Sequence, residues 1–144
     1  MAEALAESRQ ALPHCRPNPP VGCVIVADGH VLARGYTGPP GSPHAEASAL
    51  AALRYDGDPR RLSVFVTLEP CSFQGRTPSC ARALVERAPG IVYVGVLDPD
   101  PRNDGRGVQL LRDAGVAVEV GVLQPAVRAF LEPYLMRRPA ASGD

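Results

Sequence analysis

The order of apolar segments in the second half of the chain constrains the fold more than any other feature of this sequence. Leu62–Leu68, Ile91–Leu97 and Val116–Val120 are short apolar runs typical of buried strands, and helix-like segments lie between them. Two strands of one sheet that are joined through a helix pair in parallel, with a right-handed crossover. The sequence therefore predicts a parallel three-stranded unit from residue 62 onward.

A hairpin precedes this unit. The apolar run Val21–Ala27 ends at Asp28-Gly29, a strong two-residue hairpin turn signal, and His30–Tyr36 returns as its partner strand. The two parts together predict an α/β fold in which a mixed five-stranded sheet has helices on both faces, in three α/β/α layers. The predicted helices span residues 3–12, 44–54, 78–87, 105–114 and 125–135.

Length and composition fit one ordinary domain. The chain has 144 residues and is 45% apolar, so we expect a single domain over residues 1–144. The 15 basic and 15 acidic side chains cancel, there is no tryptophan, and only 5% of the residues are aromatic. Because nucleic-acid binding needs a basic groove and stacking aromatics, we expect neither nucleic acid nor an anionic membrane as a partner. The absence of lysine excludes a Schiff-base mechanism.

The expected location is the cytoplasm. The longest apolar run, Val21–Ala27, is far too short to cross a membrane, and the first residues are acidic where a secretory signal would be basic. In a reducing compartment, the four cysteines indicate metal binding or buried thiols rather than disulfides.

One imidazole and two thiols give the strongest chemical signal. His44, Cys71 and Cys80 form a donor set that would bind one zinc ion per chain and leave a fourth position open for water, which is typical of catalytic zinc. His44 and Cys80 begin predicted helices, and a helix N-terminus favours a thiolate. Glu46 lies two residues from His44 and can move protons there without binding the metal. The His-x-Glu and Pro-Cys elements follow the order of the zinc deaminases.

Each of these residues also has a simpler interpretation. Taken alone, each is more often a loop histidine or a thiol that fills the core. A structural zinc site would need a fourth ligand, for which Cys15 and Cys23 are the candidates. Cys23 lies in the middle of an apolar strand and is expected in the core, whereas the role of Cys15 stays open.

The cysteine spacing departs from the general zinc-deaminase pattern. That pattern has two residues between the cysteines, but eight separate Cys71 from Cys80. The intervening segment must loop out beside the metal, where it can reach a substrate. Within it, Arg76 and Thr77 offer a cation and a hydroxyl that suit an anionic group.

Further motifs extend the pattern from about residue 4 to residue 138. They are Pro17-Asn-Pro-Pro-Val-Gly22, Pro43-His-Ala-Glu46, Val66-Thr-Leu-Glu-Pro-Cys71, Gly75-Arg-Thr-Pro-Ser-Cys80 and Asp98-Pro-Asp-Pro101 with Gly105-Arg-Gly107. On these motifs the sequence resembles the deaminase domain of the bifunctional riboflavin-biosynthesis deaminase/reductase, a branch of the cytidine-deaminase-like superfamily.

The resemblance implies a cytidine-deaminase-like fold and a zinc-dependent hydrolytic deaminase that releases ammonia from diaminohydroxyphosphoribosylaminopyrimidine. The imidazole, thiols and carboxylate named above would act as zinc ligands and proton shuttle. Asn18 would hold the pyrimidine, while Arg76, Thr77 and Asp98 would face the ribose-phosphate end. Members of the superfamily form homodimers or homotetramers, so we expect a homo-oligomer. No reductase segment is present in this sequence, so a separate reductase is the expected pathway partner.

Three positions depart from the family pattern. Thr37 and Phe73 stand where the family has histidines, and Asp100 stands where it has asparagine. The first two changes remove polar groups and the third adds a carboxylate, which is unfavourable near a phosphate. They predict intact zinc chemistry with altered recognition of the substrate tail.

Two kinds of substrate therefore stay open. One is the phosphoribosyl pyrimidine of riboflavin synthesis. The other is a less anionic amino-heterocycle, amidine or guanidine of a specialised pathway. A zinc-stabilised scaffold without activity is a third alternative, and Glu46 argues against it because such a protein needs no acid beside the metal.

Overall fold

A mixed five-stranded sheet forms the centre of the computed structural model, which describes residues 1–73 and 79–135. The strands lie side by side in the order β2-β1-β3-β4-β5. Their bounds are β1 Gly22–Ala27, β2 His30–Tyr36, β3 Leu62–Leu68, β4 Ile91–Val96 and β5 Ala117–Val120.

The strand directions confirm the predicted topology. β1 pairs antiparallel with both β2 and β3, whereas β3, β4 and β5 run parallel. Asp28 and Gly29 both have positive φ, at 52° and 80°, as the hairpin turn between β1 and β2 requires. β3 is a central strand, and its burial on both sides explains why its sequence is almost continuously apolar.

Helices cover both faces of the sheet. α2, α3 and α4 share one hydrophobic core with one face, while α1 packs on β1 and α5 on β4 at the other. The bounds are α1 Ala2–Arg9, α2 Ala45–Ala52, α3 Cys80–Arg87, α4 Arg106–Asp113 and α5 Gln124–Leu135, with a 3-10 turn at Pro59–Arg61. This confirms the three-layer α/β/α prediction. None of the helices in the described ranges is long and apolar enough to cross a membrane.

Three helix boundaries differ from the prediction by more than one residue. α1 ends at Arg9 rather than at residue 12, and α2 ends at Ala52 rather than at residue 54. α3 begins at Cys80 rather than at residue 78, because the Ser79 hydroxyl caps it by accepting a hydrogen bond from the Arg82 N–H at 3.1 Å. This cap makes Cys80 the first helical residue, so the cysteine lies at the N-terminus of α3.

Gly35 sets how closely α2 approaches the sheet. A Cβ at Gly35 would overlap the backbone carbonyl oxygen of Ala45, so the first turn of α2 rests directly on β2. This contact fixes the position of His44 and Glu46 relative to the strands.

One edge of the sheet collects the predicted functional segments. Because β1 is antiparallel to its neighbours, its start lies beside the ends of β2, β3 and β4. The Gly22 N–H donates to the hydroxyl of Thr67 at 3.1 Å, which ties the start of β1 to the end of β3. Open α/β sheets bind ligands beyond the carboxyl ends of their strands, and this edge is therefore the expected place for a site.

Candidate metal centre

His44, Cys71 and Cys80 converge at this edge. The ring Nδ1 of His44 lies 3.3 Å from the sulfur of Cys80 and 3.9 Å from that of Cys71. The three donor atoms all lie within 4.8 Å of one another. His44 is the N-cap of α2, Cys71 follows β3, and Cys80 opens α3. Three distant segments thus place one nitrogen and two sulfurs around a single point.

These distances fit tetrahedral zinc. Zinc–nitrogen and zinc–sulfur bonds of about 2.1 Å and 2.3 Å at a tetrahedral angle place the two donor atoms about 3.6 Å apart. The observed nitrogen–sulfur distances of 3.3 Å and 3.9 Å lie on either side of that value. A His/Cys/Cys donor set also leaves the fourth position open, so the site suits a zinc ion that takes up water.

The two cysteines share one proton when no cation lies between them. A hydrogen bond from the Cys80 thiol, helped by His44 and by the Cys80 backbone N–H at 3.3 Å, lowers the pKa of Cys71 to about 4. The same contact with Cys71, followed by burial, raises the pKa of Cys80 far above its usual value. The hydrogen bond to Cys71 also raises the pKa of His44. The site therefore holds one thiolate and one thiol at neutral pH.

Zinc binding to metal-free protein is expected to release about one to two protons at pH 7. Zinc needs both sulfurs as thiolates and the imidazole neutral, so Cys80 must lose its proton and His44 contributes a fraction. The apparent affinity should rise about tenfold per pH unit for each proton released. Calorimetric titrations in buffers of different ionisation enthalpy measure this number directly. Binding without proton release would contradict the shared-proton arrangement.

Glu46 lies in the first turn of α2 and lines the same pocket as His44 and Cys71. Only 4% of it is exposed. Burial raises the pKa of its carboxyl to about 7, while its hydrogen bond with a backbone N–H and the nearby His44 oppose the rise. A carboxyl that titrates near neutrality can both take up and give up a proton, as the predicted shuttle requires.

A pocket of about 230 Å³ opens beside the donors. Strand ends, the proline turn before β1 and the loop after β4 form its wall. The predicted site residues on this wall are Asn18, Thr37, His44, Glu46, Cys71, Phe73 and Asp98.

Several predicted substrate residues have other contacts as well. The Thr37 hydroxyl accepts a hydrogen bond from the Val21 N–H at 3.0 Å, so it also binds the backbone just before β1. The Asp98 carboxylate accepts one from the Asp100 N–H at 3.0 Å. Asp100 is not part of the pocket wall among the described residues, and its carboxylate faces Arg102. The roles of these residues toward a substrate stay predictions.

Arg76 and Thr77 lie outside the described residues. Both remaining cysteines are buried and free, and neither belongs to the donor cluster found within 1–73 and 79–135. Cys23 packs in the core as expected, and Cys15 is fully buried in the turn region after α1. Neither cysteine supplies the fourth ligand that a structural zinc site would need.

Glu69 holds the segment that carries Cys71, a role that the sequence reasoning missed. Its buried carboxylate accepts hydrogen bonds from the backbone N–H groups of Asp98, Gly105 and Val108, each at 3.0 Å. Gly105 is the N-cap of α4, so the residue that follows β3 caps a helix whose N-cap lies 36 residues later. The one sequence feature that could have indicated this role is the position of Glu69 directly after a buried strand.

Asn103 completes this connection. It is fully buried, its amide nitrogen donates to the Pro70 carbonyl at 3.1 Å, and its amide oxygen accepts from the Ser72 N–H at 3.1 Å. The side chain therefore bonds to the backbone on both sides of Cys71. No local pattern reveals this, since the partners lie 33 and 31 residues away along the chain.

Replacing Asn103 with leucine is expected to lower the zinc affinity about 10- to 100-fold, as the loss of an outer partner of a metal ligand typically does. Stability should also fall by about 2–4 kcal/mol, because a buried carbonyl and a partly buried N–H lose their partners. Chelator competition and urea unfolding measure the two effects. Gln109→Leu is the matched control, because that amide is exposed and pairs only with Asp113. Unchanged zinc affinity in Asn103→Leu would show that Cys71 needs no such support.

The fold and the site together define a class of protein. A three-layer α/β/α domain with one imidazole, two thiols and a buried glutamate at the carboxyl edge of its sheet has the architecture of the zinc-dependent nucleobase deaminases. The chain belongs to the cytidine and deoxycytidylate deaminase zinc-binding family, whose model matches residues 1–96. The resemblance drawn from the motifs and the expected zinc cofactor are thereby confirmed.

Known proteins of riboflavin biosynthesis are similar to the chain. It is 43% identical over 141 residues to the riboflavin biosynthesis protein RibD of Chlamydia muridarum, covering 96% of this chain and 37% of that protein. The diaminohydroxyphosphoribosylaminopyrimidine deaminase/5-amino-6-(5-phosphoribosylamino)uracil reductase of Thermotoga maritima has a TM-score of 0.86 at 37% identity, with 96% of this chain and 40% of that chain covered. Aspergillus oryzae Rib2 deaminase has the same fold, with a TM-score of 0.74 at 21% identity over 96% of this chain and 92% of that one. The chain thus spans less than half the length of the first two.

Proposed function

We propose that this protein is a zinc-dependent hydrolytic deaminase that releases ammonia from an aminopyrimidine of the riboflavin pathway. The observation that carries the proposal is the convergence of His44, Cys71 and Cys80, two of which line one pocket with the buried Glu46. Similarity to RibD proteins supports the choice of pyrimidine.

The His44 nitrogen and the two cysteine sulfurs would hold the zinc ion. When bound, zinc acts as a Lewis acid that lowers the pKa of water and so makes a nucleophile available at neutral pH. The protein favours the thiolates by pointing the N-termini of α2 and α3 at the site. Backbone N–H groups of Cys80 and Ala81 hold Cys71 at its sulfur and its carbonyl oxygen, at 3.3 Å and 3.0 Å.

Glu46 would carry the protons of the reaction. Hydrolytic deamination moves one proton from water to the ring nitrogen and a second proton from the newly added hydroxyl to the leaving amine. A single carboxyl can take up and deliver both protons in turn if its pKa lies close to the working pH. Burial of Glu46 among low-dielectric surroundings produces such a pKa.

The pocket suits one small heterocycle. Its volume of about 230 Å³ lies below the range of about 300–1,000 Å³ that is usual for ligand pockets. Asn18 and Thr37 line it on the side of the proline turn, and Asp98 lines it beyond the end of β4. These residues would hold the ring and its substituents, with Arg76 and Thr77 as further candidates in the intervening segment.

The proposal extends to partners and location. A reductase activity would act on the product, because the Thermotoga maritima relative is named as both deaminase and reductase. We propose further that the protein forms a homodimer or homotetramer and acts in the cytoplasm. The four free cysteines support a reducing compartment.

An ammonia-release assay with zinc-loaded protein tests the function. Diaminohydroxyphosphoribosylaminopyrimidine, cytidine, deoxycytidylate and a non-phosphorylated diaminopyrimidine are compared at equal concentration, with chelator-treated protein as the control. We expect zinc-dependent turnover that is fastest with the first compound. Turnover of the non-phosphorylated compound alone would favour the recruited relative of a specialised pathway, and ammonia release without zinc would overturn the mechanism.

A further inference from the structure

Arg102 lies on the wall of the pocket that His44, Glu46 and Cys71 line, and the proposed zinc chemistry gives it no role. It follows β4 and comes from the same loop as Asp98, another residue of the pocket wall. Apart from His44 and Arg102, the titratable side chains on the described wall are all acidic in type: Glu46, Glu69, Cys71 and Asp98. Arg102 is therefore the permanent cation of this wall within residues 1–73 and 79–135.

The guanidinium of Arg102 is held in place from two sides. Its Nε and Nη2 donate to the two carboxylate oxygens of Asp100 at 3.1 Å and 2.7 Å, and the Asp100 side chain is only 7% exposed. Its central carbon lies 4.6 Å from the ring centroid of Phe73, in a cation–π arrangement. An exposed arginine usually samples many rotamers, whereas these contacts favour one orientation of the Arg102 side chain.

A second copy of the same tripeptide shows which part of this arrangement is local. Asp58-Pro59-Arg60 makes the same two bonds, from Nε at 3.2 Å and from Nη2 at 3.1 Å. The pairing is thus a property of the Asp-Pro-Arg sequence. The difference lies in the surroundings, because the Asp58 side chain is 41% exposed and Arg60 neither lines the pocket nor lies on an aromatic ring.

Arg102 keeps donors available after pairing. A guanidinium has five N–H donors, and Asp100 takes two of them along the Nε edge. No other acceptor in the described residues bonds to its side chain, so the Nη1–Nη2 edge can make a two-point contact. Such a planar edge matches the oxygens of a phosphate.

We propose that Arg102 is a specificity-determining residue that binds a phosphate group on the tail of the substrate, with Asp100 and Phe73 as its positioning residues. The inference rests on the proposed function for the identity of the ring that carries this tail. It also changes the expected meaning of two departures from the family pattern. Asp100 orients a cation toward the pocket rather than repelling the phosphate, and Phe73 supplies the surface on which that cation lies.

Calorimetric binding of ribose 5-phosphate and of ribose to the zinc-loaded protein tests the inference without relying on turnover. The variants are Arg102→Gln and the matched Arg60→Gln, which removes the same kind of paired arginine away from the pocket. We expect Arg102→Gln to weaken ribose 5-phosphate binding about 10- to 100-fold and to leave ribose binding and zinc content unchanged. Arg60→Gln should behave like the parent.

Three results would overturn the inference: equal ribose 5-phosphate binding by Arg102→Gln and parent, an equal loss for ribose, or no preference of the parent for the phosphorylated sugar. The ammonia assay separates this outcome from failure of the proposed function. If Arg102→Gln turns over the substrate with an unchanged KM, the proposed deaminase function holds and the proposed phosphate contact of Arg102 is wrong. If sugar phosphate binding depends on Arg102 but no ammonia is released, the phosphate contact holds and the proposed deaminase function is wrong.

Discussion

Replacing Glu46 with glutamine is expected to lower the rate of ammonia release about 10²–10⁴-fold, the usual contribution of a general acid–base group. Glutamine has the same shape but cannot take up and return a proton. The zinc content should not change, because the donors of His44, Cys71 and Cys80 remain. Steady-state kinetics together with metal analysis measure both quantities. Glu132→Gln, on the exposed side of α5, is the control.

The same variant has a second signature in the metal-free protein. Burial raises the pKa of Glu46 to about 7 in the folded state, so the ionised carboxylate destabilises the fold. Stability of the parent should therefore fall as the pH rises from about 4.5 through about 7, and Glu46→Gln should lack this loss. Above pH 7 the variant should be more stable on the order of 3 kcal/mol, and near pH 4 the two should be alike.

A result in which Glu46→Gln loses zinc along with activity would falsify the assigned role, since it would make Glu46 a ligand or a structural support. Unchanged activity would point to another proton carrier. Urea unfolding of chelated protein at pH 5 and pH 8 provides the stability comparison and needs no substrate.

Replacing Gly107 with alanine is expected to destabilise the protein and to weaken zinc binding, although alanine is the better helix former. Gly107 lies in the first turn of α4, and a Cβ there would overlap the backbone carbonyl oxygen of Pro70. Helix propensity favours alanine by about 1 kcal/mol, whereas overpacking against a backbone atom costs about 3 kcal/mol or more. The clash is larger, so the free energy of unfolding should fall by about 2 kcal/mol or more.

The zinc effect follows from the position of Pro70. Moving this carbonyl disturbs its hydrogen bond with Asn103 and shifts the neighbouring ligand Cys71. Chelator competition and urea unfolding measure the two effects. The control is Gly57→Ala, where the added Cβ would meet only the side-chain ring of Tyr55, which can move. If Gly107→Ala proves as stable as the parent and binds zinc equally well, α4 does not support the metal centre.

Much of the fold follows from short-range patterns. The Asp28-Gly29 turn signal placed the hairpin, and both strands beside it lie within one residue of their predicted bounds. The alternation of apolar runs and helices after residue 62 predicted the parallel strands. Turn chemistry and periodicity depend on residues close together in the chain, so the sequence displays them directly. Helix ends were less accurate, because a cap such as Ser79 depends on one hydrogen bond.

The donor set was also predictable, for a chemical reason. Few side chain types bind zinc. One histidine and two cysteines, with Glu46 close to the histidine, therefore indicate the zinc ligands by residue type and order alone. The convergence of His44, Cys71 and Cys80 agrees with that expectation.

What only the tertiary structure decided is how this set is supported and what surrounds it. Glu69 and Asn103 bond to backbone groups 29 to 39 residues away, and Arg102 lies on the ring of Phe73 from another loop. Asp100, which the sequence suggested as a repulsive neighbour of a phosphate, pairs with Arg102 instead. The sequence determined the sheet, the helices and the metal donors because local periodicity and side-chain chemistry encode them. The contacts between remote segments depend on the distance at which the helices pack on the sheet, and local sequence patterns do not predict that distance.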